Sequence, residues 1–387
     1  MMPLHRYWPV AASALVVIVL QVALSLTGAT YYMTQVTMSA YYALVVIGLC
    51  LLMGYAGQVS LGHAGFFAIG GYTIAYMTTM NLLAYRDVPL VRLLQSLRLI
   101  VQWKNLYGAE VLSFSPWPAF IAALLLTGLI ALLIGVPVIR LKGHYLAMAT
   151  LGFGLIIYRV VLGTKSLGQA DGISNVPPFH VLPWLEVNGR APFRIQNYYV
   201  AWAMVLLAMV LAINLVHSRV GRALRSIHQN EEAAHSLGVN TYRYKLAIFM
   251  LSALFAAVGG ALMTHYNASI GPSEATVMKS VRYVAIVAIG GMANLWGAMI
   301  MAILLNFLSL RGVFGTFDDA VFGAILIAIM LFAPQGLLRM PKWHAVAAAG
   351  RAIARKGTFY FFARKLPDAA REAEKSRMSP FSRGPHG

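Results

Sequence analysis

Long apolar runs recur along the 387-residue chain, and they constrain its fold more than any other feature. A helix needs about 20 consecutive apolar residues to cross the hydrocarbon core of a bilayer. Only 11% of the residues are charged, whereas soluble domains average about 25%. The sequence lacks the short alternating segments of a membrane β-barrel. It therefore predicts an all-α, polytopic integral membrane protein.

The hydropathy pattern predicts about ten membrane-spanning helices, some of them short or broken. One apolar run of about 36 residues is too long for a single crossing, since a helix of that length would measure roughly 54 Å. The stretch "IGGMANLWG" supplies turn-permissive residues and divides this run into two. The predicted segments are 8–28, 36–53, 59–83, 117–139, 144–163, 198–217, 245–266, two within 276–311, and 318–334.

Basic residues set the predicted orientation of the transmembrane domain, 1–338. The loop at about 218–244 carries four arginines, and the tail 339–387 carries 11 of the 30 Lys and Arg residues. Basic loops remain in the cytoplasm, so ten crossings place this loop, the tail and both termini there. The tail pattern predicts an interfacial helix with a charged end. Such clusters indicate topology and contact with anionic lipid; they do not predict a nucleic-acid partner.

Two long segments, 84–116 and 164–197, are then external. In the first, Val91, Leu94, Leu97 and Val101 recur at helical spacing among basic residues. This spacing predicts an amphipathic helix that lies along the outer membrane interface.

The glycine-rich stretch "GYAGQVSLGHAGFFAIGG", residues 54–71, interrupts two apolar runs. Small residues at every fourth position allow a second helix to approach closely, and a broken helix can expose polar groups to a cavity. The polar residues could line such a cavity or could sit at the membrane interface beside a tightly packed helix. The candidate residues for a translocation path and for helix packing are Gly57, Gln58, Ser60, Gly62, His63 and Gly65. His63 has no companions at metal-ligand spacing, so no metal site is predicted.

Missing features also restrict the function. All twelve acidic residues can be placed outside the predicted spans, whereas ion-coupled carriers commonly use intramembrane carboxylates. There is no nucleotide-binding glycine-lysine loop, no cofactor site and no catalytic constellation. The sequence thus predicts a non-enzymatic transport subunit that is energised from elsewhere. The alternatives are a self-contained carrier or channel for a small polar solute and, less favoured by the residues, a membrane-embedded enzyme.

The stretch "EEAAHSLG", residues 231–238, predicts a short helix with a glycine stop on the cytoplasmic face. Such a helix fits a groove on a partner protein, although an ordinary solvated loop has the same composition.

This stretch also fits E-A-A-x-x-x-G, the coupling-loop signature of bacterial ATP-binding-cassette (ABC) importer permeases. Other motifs accompany it in order: "GYAGQVSLGHAGFFAIGGY", "RLKGHYLAMATLGFG", "ADGIS", "NTYRYKLAIFMLSALFAAVGGAL", "AIGGMANLWG" and "APQGLL". Over roughly residues 36–338 the chain resembles the LivM-type permeases of branched-chain amino acid importers.

The resemblance implies a heteromer in the bacterial inner membrane. Its other members are a LivH-like sister permease, two cytoplasmic ATPases that bind ATP and magnesium, and a periplasmic or lipid-anchored substrate-binding protein. Branched-chain or other hydrophobic amino acids are the expected substrates, with urea or short amides as the alternative. Gly57, Gln58, Ser60 and His63 would lie on the path beside the sister subunit. The residues implied to couple the chain to the ATPases are Glu231, Glu232, Ala233, Ala234 and Gly238.

Overall fold

The computed structural model describes residues 7–332, except 105–107, 109, 142, 183 and 314. The tail 339–387, with its predicted interfacial helix, and the motif "APQGLL" lie outside the described residues. Helices dominate the described part of the chain. In order they are α1 Trp8–Leu26, α2 Tyr32–Ala56, α3 His63–Thr79, α4 Pro89–Ser96, α5 Pro116–Val138, α6 His144–Gly163, α7 Arg194–His217, α8 Arg219–Gln229, α9 Glu231–Ser236, α10 Thr241–Asn267, α11 Val277–Gly290, α12 Leu295–Leu310 and α13 Asp318–Phe332.

Short antiparallel strand pairs accompany the helices. Two of the pairs lie within the predicted external segments, and the third joins such a segment to the end of α10. The pairs are β1 Ile100–Lys104 with β2 Glu110–Phe114, β3 Ile173–Ser174 with β6 Ser269–Ile270, and β4 Phe179–Leu182 with β5 Leu185–Val187. The all-α prediction thus holds for the predicted spans, while the loops add small hairpins.

Six helices in the described part of the chain are long and apolar enough to cross a membrane: α1, α2, α5, α6, α7 and α10. Each of the ten predicted segments contains a helix, but α3, α11 and α12 have only 14 to 17 residues, and the described part of α13 has 15. A 14-residue helix measures about 21 Å, which is less than the hydrocarbon thickness of about 30 Å. The multi-pass architecture is clear, and the number of crossings stays a prediction.

Helix α2 forms the centre of the bundle, and almost all of its length is buried. It packs against α7, α10 and α12, while α3 packs against α5, α6 and α10. Helix α1 is peripheral; its buried residue Val17 offers its carbonyl oxygen to the Tyr198 hydroxyl at 2.9 Å. The glycine-rich stretch after α2 therefore emerges from the middle of the protein.

The α3–α10 contact brings two backbones together. A Cβ added at Gly70 would lie 2.4 Å from the carbonyl oxygen of Ala257, and one at Gly260 would lie 2.0 Å from that of Phe67. Side chains at these positions would prevent the approach, so the small residues hold α3 directly on α10.

The predicted amphipathic helix within 84–116 is only partly correct. Helix α4 ends at Ser96, and Val101 lies on strand β1, whose partner β2 begins at Glu110. Arg98 takes a left-handed backbone conformation with φ of 57° and ends the helical path. The apolar alternation of "IVQWK" and "EVLSF" then favours a hairpin, because aromatic and β-branched residues suit strands.

The predicted division of the long apolar run is confirmed. Helix α11 ends at Gly290 and α12 begins at Leu295, with Gly291 at a φ of 101° between them. The Asn294 side chain caps α12 by accepting a hydrogen bond from the Gly297 backbone at 3.1 Å. The two helices thus form a hairpin.

The hairpin turn lies against α2 near the glycine-rich stretch. A Cβ at Gly54 would lie 1.6 Å from the carbonyl oxygen of Met292. The Tyr55 hydroxyl donates to the carbonyl of Ala293 at 2.9 Å. The two glycine-rich interruptions of the sequence are therefore in direct contact.

Candidate translocation and coupling site

The stretch between α2 and α3 is a true helix break. Helix α2 ends at Ala56, and Gly57 adopts a left-handed conformation with φ of 67°, which glycine tolerates best. Residues 57–62 are not helical, and α3 begins at His63. Backbone groups freed by such a break need partners at membrane depth.

Hydroxyl groups from other helices supply several of these partners. The Leu61 backbone N–H donates to Thr150 Oγ1 of α6 at 3.0 Å, and the Ala64 N–H donates to Ser280 Oγ of α11 at 3.1 Å. The break is therefore fixed by hydrogen bonds to helices from both halves of the chain.

The structure places His63 inside this network and not on an open surface. The side chain is fully buried, with Nδ1 3.1 Å from Ser60 Oγ and Nε2 2.6 Å from Ser252 Oγ of α10. Ser60 is itself buried. In the described part of the chain no cluster of three metal-ligating side chains forms around them. The pair Ser60–His63 holds the break against α10.

Gly62 and Gly65 lie against α6 of the same chain. A Cβ at Gly62 would lie 2.6 Å from the carbonyl oxygen of Thr150, and one at Gly65 would lie 3.3 Å from the ring of Phe153. Close packing therefore offsets the helix-propensity cost of glycine here.

Replacing Gly62 with alanine is expected to destabilise the protein by about 1–3 kcal/mol, because the added methyl group meets a backbone carbonyl. Thermal unfolding in detergent measures the effect. Gly152→Ala on α6 is the matched control, since a Cβ there meets nothing within 4 Å. Equal melting temperatures for the two variants would contradict this packing.

The predicted short helix in the basic loop is confirmed as α9, which follows α8 directly. The Ser218 side chain caps α8, and the Asn230 side chain caps α9 by accepting from the Ala233 N–H at 3.0 Å. Gly238 ends the motif in a left-handed conformation with φ of 85°. Capping at each start makes this pair of short helices a defined element and not a loose loop.

Helix α9 presents most of its surface outward. Ala234 is buried, whereas Glu232, Ala233 and Gly238 are exposed, and Leu237 is 84% exposed. Helix α9 therefore offers an outward face of small residues with one exposed apolar side chain beside it.

Glu231 has a different environment from Glu232. Its carboxylate pairs with the Lys245 ammonium at 2.5 Å, and the lysine side chain is only 12% exposed. Glu231 also sits in the first turn of α9, where a negative charge is favourable. This ion pair ties α9 to the beginning of α10.

A cavity of about 320 Å³ is lined by residues from both predicted groups, the translocation path and the coupling helix. Its lining includes Gly57 and Gln58 from the break, His228 from α8, and the Glu231–Lys245 pair. A Cβ at Gly57 would lie 2.6 Å from His228 Nδ1, so the break and α8 are in contact. The structure thus brings the candidate path and the candidate coupling helix together at one end of the bundle.

Sequence reasoning missed the groups that fix the break: Thr150, Ser252, Ser280 and His228. For the three hydroxyl residues the available signal was a Thr or Ser within a helix of the predicted spans, which usually bonds another helix or its own backbone; nothing in the sequence pointed to His228. That signal does not name the partner.

The bundle of long apolar helices, with its central helix break and two capped short helices, has the architecture of a multi-pass membrane protein. Residues 31–333 match the family model described as branched-chain amino acid transport system / permease component. The chain therefore belongs to the permease family of branched-chain amino acid ABC transport systems and is of the LivM type.

Individual relatives agree with this family. The chain is 30% identical over 337 residues to the LivM permease protein of Salmonella typhimurium, covering 82% of this chain and 72% of the relative. It is 30% identical over 327 residues to LivM of Escherichia coli, with 79% and 69% covered. LivH of Salmonella typhimurium is 25% identical over 327 residues, with 81% and 97% covered. No solved structure matches the chain.

Proposed function

We propose that this chain forms one half of the translocation path of an ATP-driven importer of branched-chain or other hydrophobic amino acids. A LivH-like sister permease forms the other half, and a periplasmic or lipid-anchored binding protein delivers the substrate. The names of the LivM and LivH relatives support both the pairing and the substrate class.

The observation that carries the coupling proposal is the shared cavity between the helix break and α9. A movement of α9 displaces the Glu231–Lys245 pair and His228, and these groups contact the cavity that Gln58 and Gly57 line. Gln58 is 4% exposed, and its side-chain oxygen has no hydrogen-bond partner among the described residues.

In this proposal α8 and α9 lie in the cytoplasm of the bacterium, and ten spans cross its inner membrane with both termini inside. Two separate ATPases bind ATP and magnesium, and one of them docks on α9, while this chain performs no bond chemistry. The exposed surface of Glu232, Ala233, Leu237 and Gly238 supports α9 as the docking element.

The test is uptake of radiolabelled leucine into proteoliposomes that contain the chain, its sister permease, the ATPases and the binding protein. Uptake is expected to require ATP and to fall several-fold in Glu231→Ala/Glu232→Ala. Removal of Glu231 leaves the largely buried Lys245 ammonium without its carboxylate, which is unfavourable. Asp87→Ala/Glu110→Ala removes the same charge from the exposed α4 and β2 region and is the control.

Three other outcomes would change the proposal. Leucine uptake by the chain alone, without ATP, would replace the importer by a carrier. Wild-type uptake in the double variant would remove α9 from the coupling path. ATPase stimulation by a binding protein loaded with urea or a short amide, without leucine uptake, would keep the importer and exclude the amino acid substrate.

A further inference from the structure

A second cavity lies at the opposite end of the bundle from α8 and α9. Its volume is about 620 Å³, and it lies where the base of the β1–β2 hairpin meets the start of α5. Arg98 and Ser115 line it on the hairpin side, and Trp117, Ile121 and Leu125 line it on the α5 side. These residues belong to neither the helix break nor the coupling helices.

The α5 side of the cavity is an apolar stripe. Trp117, Ile121 and Leu125 are spaced four residues apart and therefore lie on one face of the helix. Their exposed fractions are 46%, 53% and 70%. Because α5 is long and apolar enough to span a membrane, this stripe extends from the end of the span into the hydrocarbon region.

The hairpin side carries a positive charge. The Arg98 side chain is exposed, and among the described residues it forms no ion pair. By contrast, the guanidinium of Arg92, six residues earlier, lies 2.8 Å from the Asp87 carboxylate. Arg98 is therefore available to an anion from outside the chain.

The backbone of Arg98 does not explain why this position holds an arginine. Its N–H bonds the Gln95 carbonyl and the Leu99 N–H bonds the Leu94 carbonyl, both at 3.0 Å, which closes α4 in the manner usually completed by glycine. The φ of 57° is unfavourable for a residue with a Cβ. The hydrogen bonds that end α4 involve only backbone atoms, so they do not require an arginine side chain at position 98.

Trp117 marks the level of the membrane boundary. Its indole N–H donates to the His180 carbonyl at 3.1 Å, so the polar edge of the ring is satisfied at the loop side. Tryptophans of membrane proteins concentrate at this boundary, with the ring body among the lipids. The cation thus lies on the water side of the boundary and the apolar stripe continues on the hydrocarbon side.

We propose that this cavity binds an anionic phospholipid, with the headgroup phosphate on Arg98 and one acyl chain along Trp117, Ile121 and Leu125. Charge complementarity selects the phosphate diester, and the continuous apolar stripe selects a lipid over a free anion. In the proposed orientation the lipid belongs to the outer leaflet. Lipid binding itself does not depend on the transport proposal.

The test is native mass spectrometry of the detergent-purified full chain titrated with phosphatidylglycerol. Arg98→Gly is expected to weaken the tightest lipid association about fivefold, the contribution of one basic residue near a lipid surface. Its melting temperature should be unchanged or higher, because glycine suits the left-handed position. Arg98→Lys should retain most of the binding, and Arg92→Ala should match the wild type.

Three results would overturn the proposal. The first is unchanged lipid association in Arg98→Gly at an unchanged melting temperature. The second is equal weakening in Arg92→Ala, which would indicate diffuse charge attraction. The third is displacement of the lipid by millimolar inorganic phosphate, which would assign the site to a free anion.

Leu125→Asn alters the apolar stripe and leaves Arg98 intact. It is expected to weaken the binding of long-chain phosphatidylglycerol but not the binding of a short-chain analogue.

Discussion

Gly54→Ala is expected to remove most of the folded protein from the membrane. The added methyl carbon would lie 1.6 Å from the carbonyl oxygen and 2.5 Å from the carbonyl carbon of Met292. Neither atom belongs to a side chain that can rotate away, so α2 or the α11–α12 turn must move. Overpacking of this severity is expected to cost about 3 kcal/mol or more, a large part of the stability of a typical domain.

The measurement is the yield and melting temperature of the detergent-solubilised chain by size-exclusion chromatography. Gly163→Ala, at the end of α6, is the control, since a Cβ there meets nothing within 4 Å. It should behave as the wild type. A monodisperse Gly54→Ala protein at wild-type yield and melting temperature would show that the contact between the two glycine-rich interruptions does not exist as described.

The second large effect is expected from reversing the charge of Lys245. Lys245→Glu places a second carboxylate beside Glu231, in a pair whose oxygen and nitrogen now lie 2.5 Å apart. Like charges in this partly buried position repel, and α9 must separate from α10. ATP-dependent uptake by the assembled transporter is expected to fall more than about tenfold, the consequence of a change of about 1.4 kcal/mol or more in the coupled state.

The exchanged variant Glu231→Lys/Lys245→Glu tests whether the pair itself is required. Restored uptake would show that the attraction between α9 and α10 is required, whichever helix carries the positive charge. Arg243→Glu, two residues earlier, is the control for the same change of charge near the start of α10. The Arg243 backbone N–H donates to the Asn240 side chain, and this bond does not depend on the arginine side chain. Wild-type uptake by Lys245→Glu at normal assembly would contradict the role of the pair.

The sequence predicted the elements that are encoded locally. The glycine stop at the end of "EEAAHSLG" and the division of the long apolar run at "IGGMANLWG" both follow from residues next to one another. The structure confirms both, because capping and turn formation depend on neighbouring residues.

The contacts that fix the helix break could not be predicted in this way. Thr150 lies 89 residues from Leu61, Ser252 lies 189 residues from His63, and Ser280 lies 216 residues from Ala64. A lone hydroxyl in an apolar helix is compatible with many partners, including its own backbone four residues earlier, as Thr150 also shows. Only the packing of α6, α10 and α11 around the break selects among them.

The external segment shows how a periodic pattern can mislead. The helical spacing of Val91, Leu94, Leu97 and Val101 continues past the true end of α4. The left-handed conformation of Arg98 stops the helix, and no glycine marks that position. The pairing of β1 with β2 depends on cross-strand contacts that a pattern in one segment does not contain.

The contact between α10 and α3 does not lie at the middle of α10. This helix begins beside α9 at Thr241 and ends at Asn267, shortly before strand β6, which pairs with strand β3. At Gly260 an added Cβ would meet the backbone of Phe67 on α3. At 1.5 Å per residue, this contact lies about 28 Å from one end and about 10 Å from the other.

Because Gly260 lies nearer one end of α10, a rigid tilt of the helix about this contact displaces its two ends by different distances. A tilt of α10 about Gly260 moves its Thr241 end nearly three times as far as its Asn267 end, and in the opposite direction. The position of this contact along α10 therefore sets the ratio of the two displacements.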